Sequence, residues 1–127
     1  MNSFEELEVW KKARELRVGV SNLASEFPVG EKFMLVSQVK RSSRSIGNNI
    51  AEGFGRFHYQ ENIQFCRQAR GSLFETLDHM IVAFVEGFIS FEQLSDFREK
   101  HNHCLKLLNG YISYLSRAKN DAKVVNR

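Results

Sequence analysis

The chain has 127 residues, 43% hydrophobic and 26% charged, proportions that suit an ordinary folded domain and exclude a disordered tail, a fibre or a low-complexity segment. One proline and 8 glycines are too few punctuators for an all-β sandwich, so long helices are the expected scaffold. With 18 Lys and Arg against 15 Asp and Glu, the formal charge of +3 permits a nucleic-acid partner without demanding one.

A first helix is expected to open with a capping box, Ser3 with Glu6, and to carry Leu7, Trp10, Ala13, Leu16, Val20, Leu23, Ala24 and Phe27 at steps of three and four. Pro28, Val29 and Gly30 break it. A second helix is expected from Glu31 or Lys32 to Gly53, with Leu35, Val39, Ser43, Ile46 and Ile50 as its buried seam and Gly53-Phe54-Gly55 as its stop. The third spans His58 to Glu86 and presents Tyr59, Ile63, Cys66, Ala69, Leu73, Leu77, Met80 or Ile81, Phe84 and Phe88, with Gly87 ending it. Ser90 with Gln93 forms another capping box, and the fourth helix continues through Leu94, Phe97, His101, Cys104 or Leu105, Leu108, Ile112 and Leu115. The pattern fades after Lys119, so residues 121–127 are expected to fray. Short connections make sequential helices antiparallel, which predicts an all-α, up-down-up-down four-helix bundle formed by one domain over residues 1–120.

Helix 2 carries two polar rows beside its apolar seam. Gln38, Ser42, Ser45, Asn49 and Glu52 form a neutral and acidic row, suited to the close approach of a neighbouring helix through hydrogen bonds or, alternatively, to self-association. Lys40, Arg41 and Arg44, with Arg56 just past the helix end, form a basic row. It reads either as a solvated face with ion pairs, for instance Arg44 with Glu75, or as a stripe of contacts to successive phosphates of RNA or DNA. In helix 3, Arg70 falls near the apolar direction and is expected to pair with Glu52 or Glu75. A second apolar strip there, Phe74, Ile81, Val82 and Val85, points to contact with another subunit.

Three strings carry a resemblance: Leu7-Glu8-Val9-Trp10-Lys11-Lys12-Ala13, the run from Gln38 to Gly53 with its Ser-Ile-Gly-Asn-Asn-Ile-Ala-Glu-Gly core, and Ala69-Arg70-Gly71-Ser72-Leu73-Phe74-Glu75. They resemble the bacterial four-helix-bundle proteins first noted as open reading frames in intervening sequences of 23S ribosomal RNA, over nearly the whole chain. The resemblance implies a homopentameric barrel of antiparallel bundles, similar to the accessory protein of diversity-generating retroelements, which associates with a reverse transcriptase and with nucleic acid.

Catalytic and metal signatures are missing from the chain. No Glu has His three residues later, as a di-iron bundle requires, and no H-E-x-x-H, Cys-x-x-Cys or P-loop occurs. His101 and Cys104 share a helix face and, with His103, suggest a soft-metal site, but a core histidine and a buried thiol explain them more simply. No enzyme activity, cofactor or metal is expected. Two cysteines, Cys66 and Cys104, both at apolar helical positions, indicate a reducing compartment, and the longest apolar run, Met80 to Val85, ends at Glu86, so a cytoplasmic protein outside the membrane is expected. The leading expectation is an oligomeric adaptor that binds RNA or other nucleic acid through Lys40, Arg41, Arg44 and Arg56; the alternative is a scaffold for a protein such as a polymerase, with the basic face serving solubility.

Overall fold

The computed structural model describes residues 2–125. Four helices make the bundle: α1 (Glu8–Ala24), α2 (Leu35–Gly55), α3 (Tyr59–Val85) and α4 (Phe91–Val125), with 3₁₀ turns at Phe4–Glu6 and Val29–Glu31. Each helix packs against its sequence neighbour, and α4 closes the ring on α1. The up-down-up-down order expected from the short connections is the order found, because consecutive antiparallel rods bury their apolar stripes with the least connecting chain.

The apolar periodicity maps onto the core. Leu16, Val39, Ile46, Ile50, Leu73, Met80 and Leu108 are fully buried. Each such side chain contributes about 1.5–3 kcal/mol through the area it removes from water. Val9 and Ala83 join the core without having been singled out by the pattern, whereas Trp10 and Leu23 lie only half-buried beside it.

The helix boundaries follow local chemistry. Ser3 Oγ accepts from the Glu5 amide at 3.1 Å, so the expected Ser3–Glu6 box is replaced by a single 3₁₀ turn and α1 starts afresh after Leu7. After Pro28 the chain makes another 3₁₀ turn, which delays α2 to Leu35; Glu31 Oε2 then accepts from the Leu35 amide at 3.2 Å. At Ser90 the box is reciprocal as expected: the Gln93 amide donates to Ser90 Oγ at 3.1 Å and the Ser90 amide to Gln93 Oε1 at 2.9 Å. Gly87, at φ 81°, forms the left-handed stop after α3, with the Phe88 amide donating to Ala83 O at 2.8 Å. Beyond Lys119 the helix persists to Val125, past the point where the apolar pattern ends and into the tail expected to fray; residues 126 and 127 of that tail lie outside the described residues.

The neutral row of α2 forms the seam with α3. Thr76 Oγ1 donates to Ser42 Oγ at 2.9 Å and Ser72 Oγ donates to Ser45 Oγ at 2.9 Å across it, while Asn49 Nδ2 donates to Ser45 Oγ at 3.0 Å within α2. Gln38 and Glu52, the ends of the row, remain exposed. Gly53 sets the closest approach: a Cβ there would stand 2.7 Å from Asn62 Oδ1 and 2.9 Å from Phe65 Cβ.

Two glycines in helix interiors therefore separate space from propensity. Gly53→Ala is expected to destabilise the protein by about 1–2 kcal/mol, overpacking outweighing better helix propensity. Gly71→Ala, with nothing within 4 Å of the added carbon, is expected to stabilise it by up to about 1 kcal/mol. Urea unfolding of the two variants checks both signs.

Candidate nucleic-acid interface

α2 meets α1 across Gly47. The Trp10 indole lies against it, its Nε1 3.4 Å from where a Cβ would be, and Ala13 Cβ is 3.9 Å from the same point. Phe4 braces the indole edge-on at 5.2 Å, and the Arg14 guanidinium sits 5.2 Å from the ring centroid. Beside this contact opens a cleft of about 270 Å³ lined by Trp10, Ala13, Arg14, Arg17, Arg44, Gly47 and Asn48.

Three guanidinium side chains thus line one cleft. Among the described residues none of Arg14, Arg17 and Arg44 has a carboxylate oxygen within 4 Å. The lysines of the same helix differ: Lys11 pairs with Glu8 at 3.4 Å and Lys12 with Glu15 at 3.1 Å. The acidic residues of α1 are thereby committed to lysines one turn away.

The basic residues expected from α2 divide. Arg41 and Arg44 are exposed and Lys40 is half-buried, and among the described residues none of the three has a carboxylate partner within 4 Å; the pairing of Arg44 with Glu75 is not made. Arg56 is set apart, with Nη2 2.9 Å from Glu52 Oε1, Nη1 3.9 Å from Glu61 Oε2, and its guanidinium over the Phe65 ring at 5.1 Å. Its charge is shared with two carboxylates, so it does not extend the open stripe. Arg14, Arg17 and Trp10 were not singled out as functional from sequence. Their signal was available in the three-residue spacing of the arginines, but only the antiparallel fit of α1 to α2 puts them opposite Arg44.

Arg70 corrects another expectation. It is half-buried on α3, and its Nη1 donates to Asn109 Oδ1 on α4 at 2.8 Å instead of meeting Glu52 or Glu75. Those carboxylates are engaged elsewhere, Glu52 with Arg56 and Glu75 with His79 at 3.3 Å. A neutral amide suffices because the guanidinium keeps partial access to water.

His101 and Cys104 are core residues. His101 packs edge-on against Phe74 at 5.0 Å, its Nδ1 lies 3.2 Å from Asn102 Oδ1, and its buried Nε2 has no protein partner. Among the described residues no group of three or more His, Cys, Asp or Glu side chains is placed to hold a metal ion. Burial pushes the Cys66 thiol up to about 12 and Cys104 to about 11, which leaves both un-ionised and unreactive at neutral pH.

A model of the 23S rRNA-intervening sequence protein family matches residues 5–110. The chain is also similar to the crystal structure of a protein of unknown function from the S23 ribosomal protein family of Bacteroides thetaiotaomicron VPI-5482, with a TM-score of 0.74 and 28% identity, covering 82% of this chain and 97% of that one. No curated protein matches the chain.

The buried imidazole makes stability depend on pH. Desolvation by burial lowers the His101 pKa, helped by the nearby Arg98 charge and opposed by the Asn102 hydrogen bond. The unfolded chain therefore takes up this proton at higher pH than the folded one, so stability is fullest above the ordinary imidazole value of about 6.5 and declines as pH falls below it. His101→Leu removes an unpartnered polar atom whose burial costs roughly 1–3 kcal/mol. That variant is expected to be no less stable at pH 7 and to show a flatter decline between about pH 6.5 and 5, measured by urea unfolding across that range.

Proposed function

Since the chain belongs to the 23S rRNA-intervening sequence protein family, we propose that it is a non-catalytic helical protein that binds RNA, or another nucleic acid, through phosphates on its α1–α2 face. The observation that carries this reading is the convergence of Arg14, Arg17 and Arg44 on one cleft with no carboxylate within 4 Å among the described residues. Guanidinium groups held together without counter-charges repel one another, and a phosphate relieves that repulsion while accepting paired hydrogen bonds. Arg41 and Lys40 continue the charge along α2. Binding of this kind positions a strand without reading its sequence.

Self-association belongs to the same proposal, because repeated subunits add their electrostatic contacts to one another. Phe74, Val82 and Val85 on α3 are exposed in the single chain and support it as an apolar contact face. The same face supports a second reading, a scaffold for a protein partner such as a reverse transcriptase with no direct nucleic-acid role. The proposed setting is the cytoplasm; no helix among the described residues is long and apolar enough to cross a membrane.

Affinity for a short RNA should fall steeply with salt, the log–log slope reporting the number of phosphates engaged, about 0.7 per contact on a single strand. Arg14→Ala, Arg41→Ala and Arg44→Ala should each flatten that slope by roughly 0.7–0.9, and Arg56→Ala by much less. A titration by fluorescence anisotropy between low and high salt measures it. Affinity that does not change with salt would overturn the phosphate mechanism, and a protein partner recovered after nuclease treatment would favour the scaffold.

A further inference from the structure

At the end of the bundle where α2 turns into α3 lies a second concavity, of about 510 Å³, mostly apolar and lined by aromatic rings. Phe57, Tyr59, Tyr111 and Tyr114 line it, with His58 and Asn62 as its polar members. Its size is that of a site for a small planar molecule or a nucleotide, and its few polar groups among rings are the usual composition of such sites.

Three features make this more than a gap between helices. The first is Phe57, which holds φ at 60°, a left-handed conformation that bulky residues rarely adopt, while the residue is 88% exposed. A glycine would make this turn without strain, so the phenyl group stands here against the preference of its own backbone. The second is that Tyr111 and Tyr114 lie parallel, with centroids 6.3 Å apart and an interplanar angle of 10°, and Tyr114 is 56% exposed. Asn62 Nδ2 donates to Tyr111 Oη at 3.1 Å and holds that ring in place. The third is position along the chain. Asn48 lines the cationic cleft and also a concavity with Ala51, Glu52, Gly55 and Arg56, and Arg56 directly precedes Phe57, so this path along the end of α2 ends one residue short of the aromatic concavity. The acidic member of this path, Glu52, is already paired with Arg56.

A strand whose phosphates lie among the arginines would bring its bases along this surface, and aromatic faces take unpaired bases of any identity. We infer that the aromatic concavity stacks unpaired nucleobases of the strand held in the α1–α2 cleft, which makes single-stranded segments, not uniform duplex, the preferred ligand. This inference rests on the function proposed above and specifies its substrate.

The test uses the full chain with 12-nucleotide strands carrying a 2-aminopurine, as RNA and as DNA, and the corresponding duplexes. Stacking is expected to quench the probe on single strands. Phe57→Gly and Tyr114→Ala should abolish the quenching and weaken single-strand affinity by roughly 5- to 100-fold. Duplex affinity should change less than about twofold and the salt slope should stay as it was, because the arginine contacts are untouched. Both residues are exposed, and the melting temperature of Phe57→Gly is expected to be unchanged or a few degrees higher as the backbone strain is relieved. Quenching with RNA and DNA alike supports a site that reads only the base, and quenching with one of them supports the same site and identifies its strand. Wild-type affinity and quenching in both variants would overturn the base site while leaving the phosphate reading intact. Failure of the wild-type protein to bind any strand would overturn both.

Discussion

Two helices lie close only where the side chains between them are small or can satisfy one another, and the α2–α3 seam meets that condition along its length. Ser42, Ser45, Ser72 and Thr76 exchange hydrogen bonds across it, and Gly53 leaves the room that Asn62 and Phe65 occupy. Each buried hydroxyl of the seam has a partner, so none bears the cost of an unsatisfied buried polar group. With one face committed to α3 and the Gly47 face committed to α1, the arc of α2 that holds Arg41, Arg44 and Asn48 can only face outward. The cationic surface is thus a consequence of how the opposite side of the same helix is packed.

Charge is distributed more unevenly than the formal +3 suggests. On α1 the lysines are matched by glutamates three residues away, an arrangement that helices favour for its own modest stabilisation. The arginines of α1 have no such partners among the described residues and converge with Arg44 instead. Arginine suits that position because its planar fork can stack on Trp10 and still present donors to an oxyanion. Arg56, of the same residue type and only a few turns away, is absorbed by Glu52, Glu61 and Phe65, and its contribution is to the α2–α3 junction.

The two turns that bracket α3 make the same backbone demand and answer it differently. After Val85 the left-handed position is taken by Gly87, and the chain closes in a fully hydrogen-bonded stop. Before Tyr59 it is taken by Phe57, at the rim of the aromatic concavity. The first turn is economical in strain and leads to a reciprocal capping box at Ser90. The second keeps a strained residue at the surface, and the strain coincides with an aromatic hollow.

Most of the architecture was legible in the sequence: four amphipathic periods, their order, the Ser90–Gln93 box, the Gly87 stop and the seam from Leu35 to Ile50 all follow from spacing and local hydrogen-bonding chemistry, which act within a few residues. Of the two readings that the neutral row of α2 allowed, Ser42 and Ser45 take the helix-to-helix contact, while Asn49 bonds back to Ser45 within α2. What spacing could not supply was the choice of partner across helices. Arg70 meets Asn109 and not a glutamate, Arg56 is neutralised while Arg44 is not, and Arg14, Arg17 and Trp10 join α2 in one cleft. The sequence by itself determined which faces each helix must bury, because a 3.6-residue period is a property of a single chain segment. Only the tertiary structure decided which charges stand alone, because that depends on the axial register between antiparallel helices, set by the side chains that interlock between them.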